Sequence, residues 1–291
     1  MNVVENKVKE ILKNSKNIFV YCGTTVHKLA GLNGVLAEHI AYEIEDYYGY
    51  SSEEIVTDNF LTRRVKFFFD YYQNIILGKT DPGVLPIAEE IRDLQKYINI
   101  ETVATDTIYS LYERAGVDNV ISINGTVENN YCPNCGKQYD ANYVRAHRII
   151  PHCEKCQVPL RPGFTLVGET IDNGLISKAI NEAEKCDTFL VIGSSLRDKV
   201  FKNLIKYYEG ENLILINDKE MFGDDIANYR MYGDIEAILK KFLDEISSEL
   251  PMREKPVKKE KTETVETAET TDAADTADTA DKADTADTAD K

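Results

Sequence analysis

The 291-residue chain has no tryptophan and no apolar run long enough to cross a membrane. The first absence carries no functional message; the second argues against a membrane-spanning helix. An apolar signal core is missing too: charges are spread through the opening MNVVENKVKEILKNSKN. A cytoplasmic protein is therefore expected. Basic charge is also short, with 34 Lys and Arg against 50 Asp and Glu, a formal net charge of −16. Nucleic-acid binding needs a basic surface to displace phosphate counterions, and this balance argues against it. The small cluster Arg63-Arg64-Lys66 reads as a solvated helix face. What remains is ordinary: 43% hydrophobic residues, enough for one large domain or two small ones with a sizeable core.

Cysteines are few, and four of the six are paired. Cys132-Pro-Asn-Cys135 and Cys153-Glu-Lys-Cys156 are separated by 17 residues. A two-residue gap across a tight turn points both sulfurs at one ion. Two such pairs complete a tetrahedral four-thiolate shell, the preferred structural site for Zn2+. Disulfides are the alternative, and an intracellular chain disfavours them. With four ligands filled, the metal is expected to be structural. His147 and His152 lie close by and read as bystanders.

From Pro251 the composition changes to an Ala-Asp-Thr near-repeat with almost no large apolar side chains. Such a segment buries too little surface to offset ordering entropy, so 251–291 is expected to be a disordered acidic tail. It reads as a slack repeat or as an interaction or solubility segment. Residues 253–291 account for a net charge of −5, leaving −11 on the remainder. Upstream, short apolar runs alternate with helical patterns. The runs are 17–22, Ile100 to Val103, Val120 to Ile123, Thr188 to Ile192 and Leu213 to Ile216. Val4, Val8, Ile11 and Leu12 mark a first helix; Leu85, Ala88, Ile91, Leu94 and Ile98 mark another. Continuous apolar strands between helices predict an α/β fold: a Rossmann-like parallel sheet with helices on both faces. The Tyr- and Phe-rich stretch 35–78 predicts two or three helices, inserted beside the zinc module at 131–160. The Rossmann-like core then comprises 1–34, 79–130 and 161–250.

Ligands of an open parallel sheet sit at the carboxyl ends of its strands. Three such ends carry small or polar residues: Gly23-Thr24-Thr25, Gly193-Ser194-Ser195 and Asn217-Asp218. Each alone is an ordinary turn; together they predict a nucleotide cleft.

The order of these pieces resembles the sirtuin family, the NAD-dependent protein deacylases. The likeness runs from the first helix to about Leu250. Its most specific stretch is Leu111-Tyr112-Glu113-Arg114-Ala115-Gly116, the run 120–123, Asn124-Gly125-Thr126 and the first cysteine pair. Leu160 to Glu169 is similar to the segment rejoining the zinc module to the Rossmann-like domain. Residues 187–196 resemble the strand and loop on the cofactor phosphates, and Asn217 falls at the adenosine-ribose contact. The resemblance implies NAD as cofactor and an acylated protein as partner, with Gly23, Thr24, Asp106, Gly193, Ser194, Ser195 and Asn217 at the cofactor.

The departures from the family are as informative. Where sirtuins carry Gly-Ile-Pro-Asp-Phe-Arg, this chain reads Gly31-Leu32-Asn33-Gly34-Val35-Leu36. No Phe or Arg lies between Gly23 and Gly49, so the loss is robust to register. Gln-Asn-Ile-Asp has become Asp106-Thr107-Ile108-Tyr109, and the His of the general-base His-Gly pair is Asn124. An amide cannot take a ribose hydroxyl proton. Losing a positioned general base costs on the order of 10²–10⁴ in rate, or roughly 3–5 kcal/mol.

Three functions follow as expectations. The first is a zinc-containing protein that binds NAD or ADP-ribose weakly as a sensor or scaffold, its deacylase chemistry lost or impaired. The second is an active deacylase, ADP-ribosyltransferase or NAD hydrolase with a rearranged site, in which His27, Asp106, Tyr109 and Asn124 converge. The third is an interaction module. On the bland reading, His27 is a loop histidine with a local hydrogen bond, Asp106 a strand-end turn residue, and Tyr109 the filler of a vacated nicotinamide pocket. Cys22 and Cys186 read as buried small hydrophobes.

Overall fold

The computed structural model describes residues 3–78, 83–147 and 149–253. The Ala-Asp-Thr segment lies outside the described residues from 254 onward. A six-stranded parallel sheet forms the centre, in the order β3-β2-β1-β6-β7-β8. Its strands are β1 (Ile18–Cys22), β2 (Ile100–Thr105), β3 (Val120–Ser122), β6 (Thr188–Ile192), β7 (Asn212–Asn217) and β8 (Tyr229–Tyr232). All five residues of β1 are buried, and so are all five of β6. Strand periodicity then divides each strand between two cores. Ile18, Val20 and Cys22 face one hydrophobic cluster; Phe19 and Tyr21 face the other.

Helices supply the cover on each side. The first face receives α1 (Val3–Asn14), α7 (Pro86–Leu94) and α12 (Ile235–Glu249) through Val8 and Leu12, through Ile87, Ile91 and Leu94, and through Leu239, Phe242 and Ile246. The second receives α10 (Asn173–Lys185) and α11 (Lys199–Leu204) through Ala179, Ala183, Val200, Phe201 and Leu204. Spacings of three and four residues put each set on one stripe, and each fully buried large side chain contributes about 1.5–3 kcal/mol. Pro86 sits at the first turn of α7, where a missing N–H costs nothing.

Between β1 and β2 the chain forms α2 (Thr24–Leu29) and then a run of short helices. These are α3 (Ala41–Tyr48), α4 (Ser52–Ile55), α5 (Asp58–Arg63) and α6 (Val65–Tyr71), which runs on into a π-turn at Tyr72–Ile76. After β2 come α8 (Leu111–Ala115) and β3. A small hairpin follows, β4 (Asn130–Tyr131) with β5 (Gln138–Tyr139), and then α9 (Ala141–Ala146). The short helices and this module are tied directly. The Tyr72 hydroxyl donates to Asn130 Oδ1 at 2.8 Å, and Gln73 donates to the carbonyls of Val144 and His147 at 2.9 and 2.6 Å.

Three features differ from the sequence expectation. The 35–78 stretch breaks into more and shorter helices than two or three. An edge strand, β8, closes the sheet without any apolar run, because only Met231 of its four residues is buried. The folded chain also continues past residue 250. Arg253 donates its backbone N–H to the Lys96 carbonyl and its guanidinium to the Ile98 carbonyl, both at 2.7 Å.

One buried acid makes stability depend on pH. Glu90 of α7 is 8% exposed, and its Oε2 has no hydrogen-bond partner. It faces Asp234, Glu236, Lys240 and Asp244 of the α12 end. Burial first, then Glu236, pushes its carboxyl from 4.5 up to about 7. The folded state therefore holds a proton that the unfolded chain releases, and stability falls as pH rises from about 4.5 to about 7. Glu90→Gln is expected to raise stability at pH 8 by about 1–2 kcal/mol and to change little at pH 4.5. Urea unfolding at the two pH values checks this; an equal shift at both refutes it.

Candidate functional site

The sheet reverses strand order between β1 and β6, and the two strand ends meet there. Gly23 N–H donates to the Ile192 carbonyl, Thr25 N–H to Gly193 and Gly193 N–H to Ile216, each at 2.9 Å. A side chain at Gly23 would place its Cβ 2.3 Å from Ser194 Cβ and 2.8 Å from the Gly193 carbonyl. Only glycine fits. Gly193 takes φ +60°, in the left-handed region. Asn217 is fully buried, and its amide is already committed: Nδ2 donates to the Ser194 carbonyl (3.2 Å), and Oδ1 accepts from Asp218 N–H (3.0 Å). The neighbouring Asp218 has a buried Oδ1 without a partner, which makes it the freer group at that strand end.

Beside these strand ends lies a cavity of about 810 Å³. Thr24, His27, Asp106, Tyr109, Asn124 and Asp198 line it, together with the 31–39 loop. The four residues expected to converge therefore share one cavity. Gly23, Gly193, Ser194, Ser195 and Asn217 stand behind or beside it rather than in its wall. Val35 and Leu36 do line it. Lys28 is the only Lys or Arg among the lining residues, against the acids Glu38, Asp106 and Asp198.

One bland reading gives way here, that of His27, while Asp106 does stand at a strand end. His27 lies on α2, not in a loop; it is 3% exposed, and neither ring nitrogen has a hydrogen-bond partner. Burial, aided by Lys28, holds its pKa down at about 4, so the ring is neutral. Asp106 directly follows β2 and is 8% exposed, with Oδ1 unpartnered. Burial first, then the charge of Asp198, pushes its carboxyl up to about 7. Tyr109 is fixed instead: its hydroxyl lies 2.6 Å from the Asn33 carbonyl and 2.7 Å from that of Ile76. Cys22 is buried, and burial pushes its thiol up to about 12, inert as a nucleophile. Cys186 is likewise buried, its thiol donating to the Ala183 carbonyl.

Asn124 belongs to two cavities. A second one, of about 1050 Å³, runs along 123–125, 161–165 and 168–175. The Asn124 carbonyl accepts from Thr165 N–H (2.9 Å), while Nδ2 donates to the Asp106 carbonyl (2.8 Å). Gly125 at φ +71° makes the turn, and it forms an isolated bridge with Phe164. Arg161 braces the far wall through Asp58 at 2.7 Å and through Glu169.

The sulfurs of Cys132, Cys135, Cys153 and Cys156 all lie within 4.8 Å of one another. Cys135 and Cys153 are 3.7 Å apart. A disulfide requires about 2.05 Å. A tetrahedron with Zn–S bonds of about 2.3 Å has edges of about 3.8 Å, so the shell fits zinc. The Tyr139 hydroxyl donates to Cys153 Sγ at 3.2 Å, an outer bond that orients the ligand. His147 and His152 turn Nδ1 to the carbonyls of Tyr143 and Ile150 and stay out of the cluster.

A family model described as the Sir2 family matches residues 32–200. The NAD-dependent protein deacetylases of Clostridium perfringens (strain 13 / Type A) and Clostridium tetani (strain Massachusetts / E88) are each 30% identical over 241 residues. Each match covers 82% of this chain, with 98% and 97% of those proteins. A Sir2 enzyme structure superposes with a TM-score of 0.70 at 25% identity, covering 85% of this chain and 99% of that one. A Sir2 homologue–NAD complex superposes with a TM-score of 0.72 at 21% identity, covering 84% and 95%. The chain belongs to the Sir2 family. Its Rossmann-like sheet and four-cysteine cluster are the parts of the family plan most plainly in place.

Asp198 is a cavity residue that sequence reasoning passed over, as are Lys28, Glu38 and His39. The Asp198 Oδ1 accepts from Val200 and Phe201 N–H and so caps α11. Asp before a helix is ordinary, and that role hid its place in the cavity wall.

Proposed function

We propose that the cavity beside the β1 and β6 ends binds NAD or ADP-ribose and that the protein does not deacylate peptides at an appreciable rate. The observation that carries this reading is Asn124. It lies where the two cavities meet, the position that the family resemblance gives to the base, and a carboxamide accepts no proton at neutral pH. Support for nucleotide binding comes from the side-chain-free approach at Gly23 and from two buried polar groups left without partners, His27 and Asp106 Oδ1. Zinc in the four-cysteine shell acts structurally; the chain's own residues Gly23, Thr24, Asp106, Gly193, Ser194, Ser195 and Asn217 form or back the nucleotide site.

Binding is expected to be weak. The cavity offers Lys28 and no Arg to a pyrophosphate, and it adds acids. Calorimetric titration of the zinc-loaded protein with NAD and with ADP-ribose tests this. Heat of binding for both, with no deacetylation of an acetylated peptide, is the expected result. Silence toward both at millimolar concentration overturns the nucleotide reading. Peptide deacetylation that vanishes in Asn124→Ala overturns the loss of chemistry.

A further inference from the structure

We propose that the cavity beside the β1 and β6 ends selects ADP-ribose over NAD: His27 and Asp106 take the free anomeric hydroxyl that ADP-ribose carries, and Tyr109 fills the space that a pyridinium ring needs. The inference rests on the nucleotide reading above and narrows it from either ligand to one. A dinucleotide lies across the point where strand order reverses. With its pyrophosphate at Gly23 and Gly193 and its adenosine toward β7, the second ribose falls on the β2 side of β1, where Asp106 and Tyr109 stand. ADP-ribose ends there in a hydroxyl; NAD ends in a ring.

Buried groups on that side lack what a hydroxyl supplies. His27 Nδ1, His27 Nε2 and Asp106 Oδ1 are all buried without a hydrogen-bond partner. Burial keeps the imidazole neutral, with one N–H to give and one lone pair to receive. Space over Nε2 is left by Gly34, where an added Cβ would lie 3.5 Å from that nitrogen. A hydroxyl both donates and accepts, the complement of these groups. A site whose polar groups are buried for a hydroxyl discriminates sharply against the analogue without it, because the groups then stay unpaired.

Tyr109 works against the ring. It is buried, and its hydroxyl proton is shared between the carbonyls of Asn33 (2.6 Å) and Ile76 (2.7 Å). Its ring stands edge-on to His27, with centroids 6.1 Å apart. The 31–39 loop that holds it is tied to α6 and the π-turn twice more. Asn33 Nδ2 donates to the Ile75 carbonyl and the Tyr71 hydroxyl to the Val35 carbonyl, each at 2.8 Å. Seating a pyridinium there displaces a packed side chain and strains these bonds. Overpacking of that kind costs a factor of roughly 10–100 in affinity.

Calorimetric titration of the zinc-loaded protein with ADP-ribose, NAD and ADP tests the preference. ADP-ribose is expected to bind at least about tenfold tighter than NAD. NAD is expected to match ADP within a few-fold, because only their shared half is seated. Gly34→Ala reads the hydroxyl contact with little risk to the fold, since the added carbon meets Nε2 at an ordinary contact distance. It is expected to weaken ADP-ribose on the order of tenfold and to leave NAD unchanged. Tyr109→Ala, with its fold checked by circular dichroism, is expected to tighten NAD relative to ADP-ribose. NAD binding as tight as ADP-ribose in the wild type overturns the preference and leaves the nucleotide reading standing. No binding of any of the three overturns both. ADP-ribose affinity unchanged in Gly34→Ala overturns the hydroxyl contact, and an unchanged ratio in folded Tyr109→Ala overturns the exclusion of the ring.

Discussion

Removing the metal from the four-cysteine cluster unfolds residues 131–160 and leaves the parallel sheet standing. The same result is expected from Cys153→Ser. The reason is how little else holds the module. Its regular structure is one two-residue hairpin and the six-residue helix α9. Its buried apolar groups are chiefly Tyr139, Val144 and Leu160, alongside Cys132 and Cys153 themselves. A core of that size does not offset the ordering entropy of some thirty residues. Structural zinc contributes an apparent binding free energy of about 10–16 kcal/mol at neutral pH, which here is folding free energy. The sheet is different: its two large cores lie on opposite faces of β1 and depend on no sulfur of the cluster except through the adjoining module. Metal analysis is expected to find one zinc per chain. After chelation, limited proteolysis is expected to cut first within 131–160, and urea unfolding is expected to show an early transition separated from the main one. A zinc-loaded protein whose cleavage pattern matches the chelated sample would sink this account.

Damage is also expected to spread from the module to the larger cavity. Tyr131 and Arg161 exchange backbone hydrogen bonds of 2.9 and 2.8 Å, and Arg161 is the brace of that cavity's far wall.

Gly125→Ala is expected to cost about 3–4 kcal/mol, more than a glycine-to-alanine change normally does. Two penalties coincide there. The residue sits at φ +71°, and a Cβ would lie 2.2 Å from the Gly163 carbonyl and 3.1 Å from Phe164 Cα. Both obstacles are backbone, so no rotamer change relieves them. The segment that must move is held by Thr126 N–H to the Gly163 carbonyl and by Thr165 N–H to the Asn124 carbonyl. Gly49→Ala is the control. Gly49 has φ +70° at the end of α3, with nothing within 4 Å of the added carbon. It should lose only the left-handed backbone penalty, about 1 kcal/mol. Chemical unfolding of both variants separates dihedral strain from collision. Equal losses would mean that the 163–165 segment yields freely, which would refute the expected rigidity of the wall beside Asn124.

Much of this fold is legible in residue order because its signals are local. The cysteine pairs need only their spacing, and β1, β6 and β7 need only buried apolar runs between helical patterns. Strand-end glycines are legible by type, but not by what they touch; the Cβ that Gly23 lacks would lie 2.3 Å from Ser194 Cβ, at the end of a strand far away in sequence. β8 escaped because an edge strand with one buried residue has no apolar run. The anchoring of Arg253 escaped because composition shifts at Pro251, while the carbonyls that receive Arg253 belong to Lys96 and Ile98. Within the cavity, His27 and Asp106 were visible as candidates, yet their lack of partners is a property of burial. Asp198 carried a competing and sufficient explanation as a helix cap.

The position of β1 has a consequence for how the chain is made. Ile18 pairs with Ile100 on one side and with Thr188 on the other, about 80 and about 170 residues downstream. The short-helix run and the metal module both leave the ribosome before β6 does. At ordinary synthesis rates of about 5–20 residues per second, the central strand waits roughly ten to thirty seconds for its second neighbour. Through that interval an apolar strand keeps an unpaired edge, the form of chain most open to wrong pairing and to chaperones. The nucleotide cleft, which needs Gly23 against Ser194, therefore exists only near the end of synthesis, and a nascent chain halted before β6 is a zinc-bearing fragment with no cleft at all.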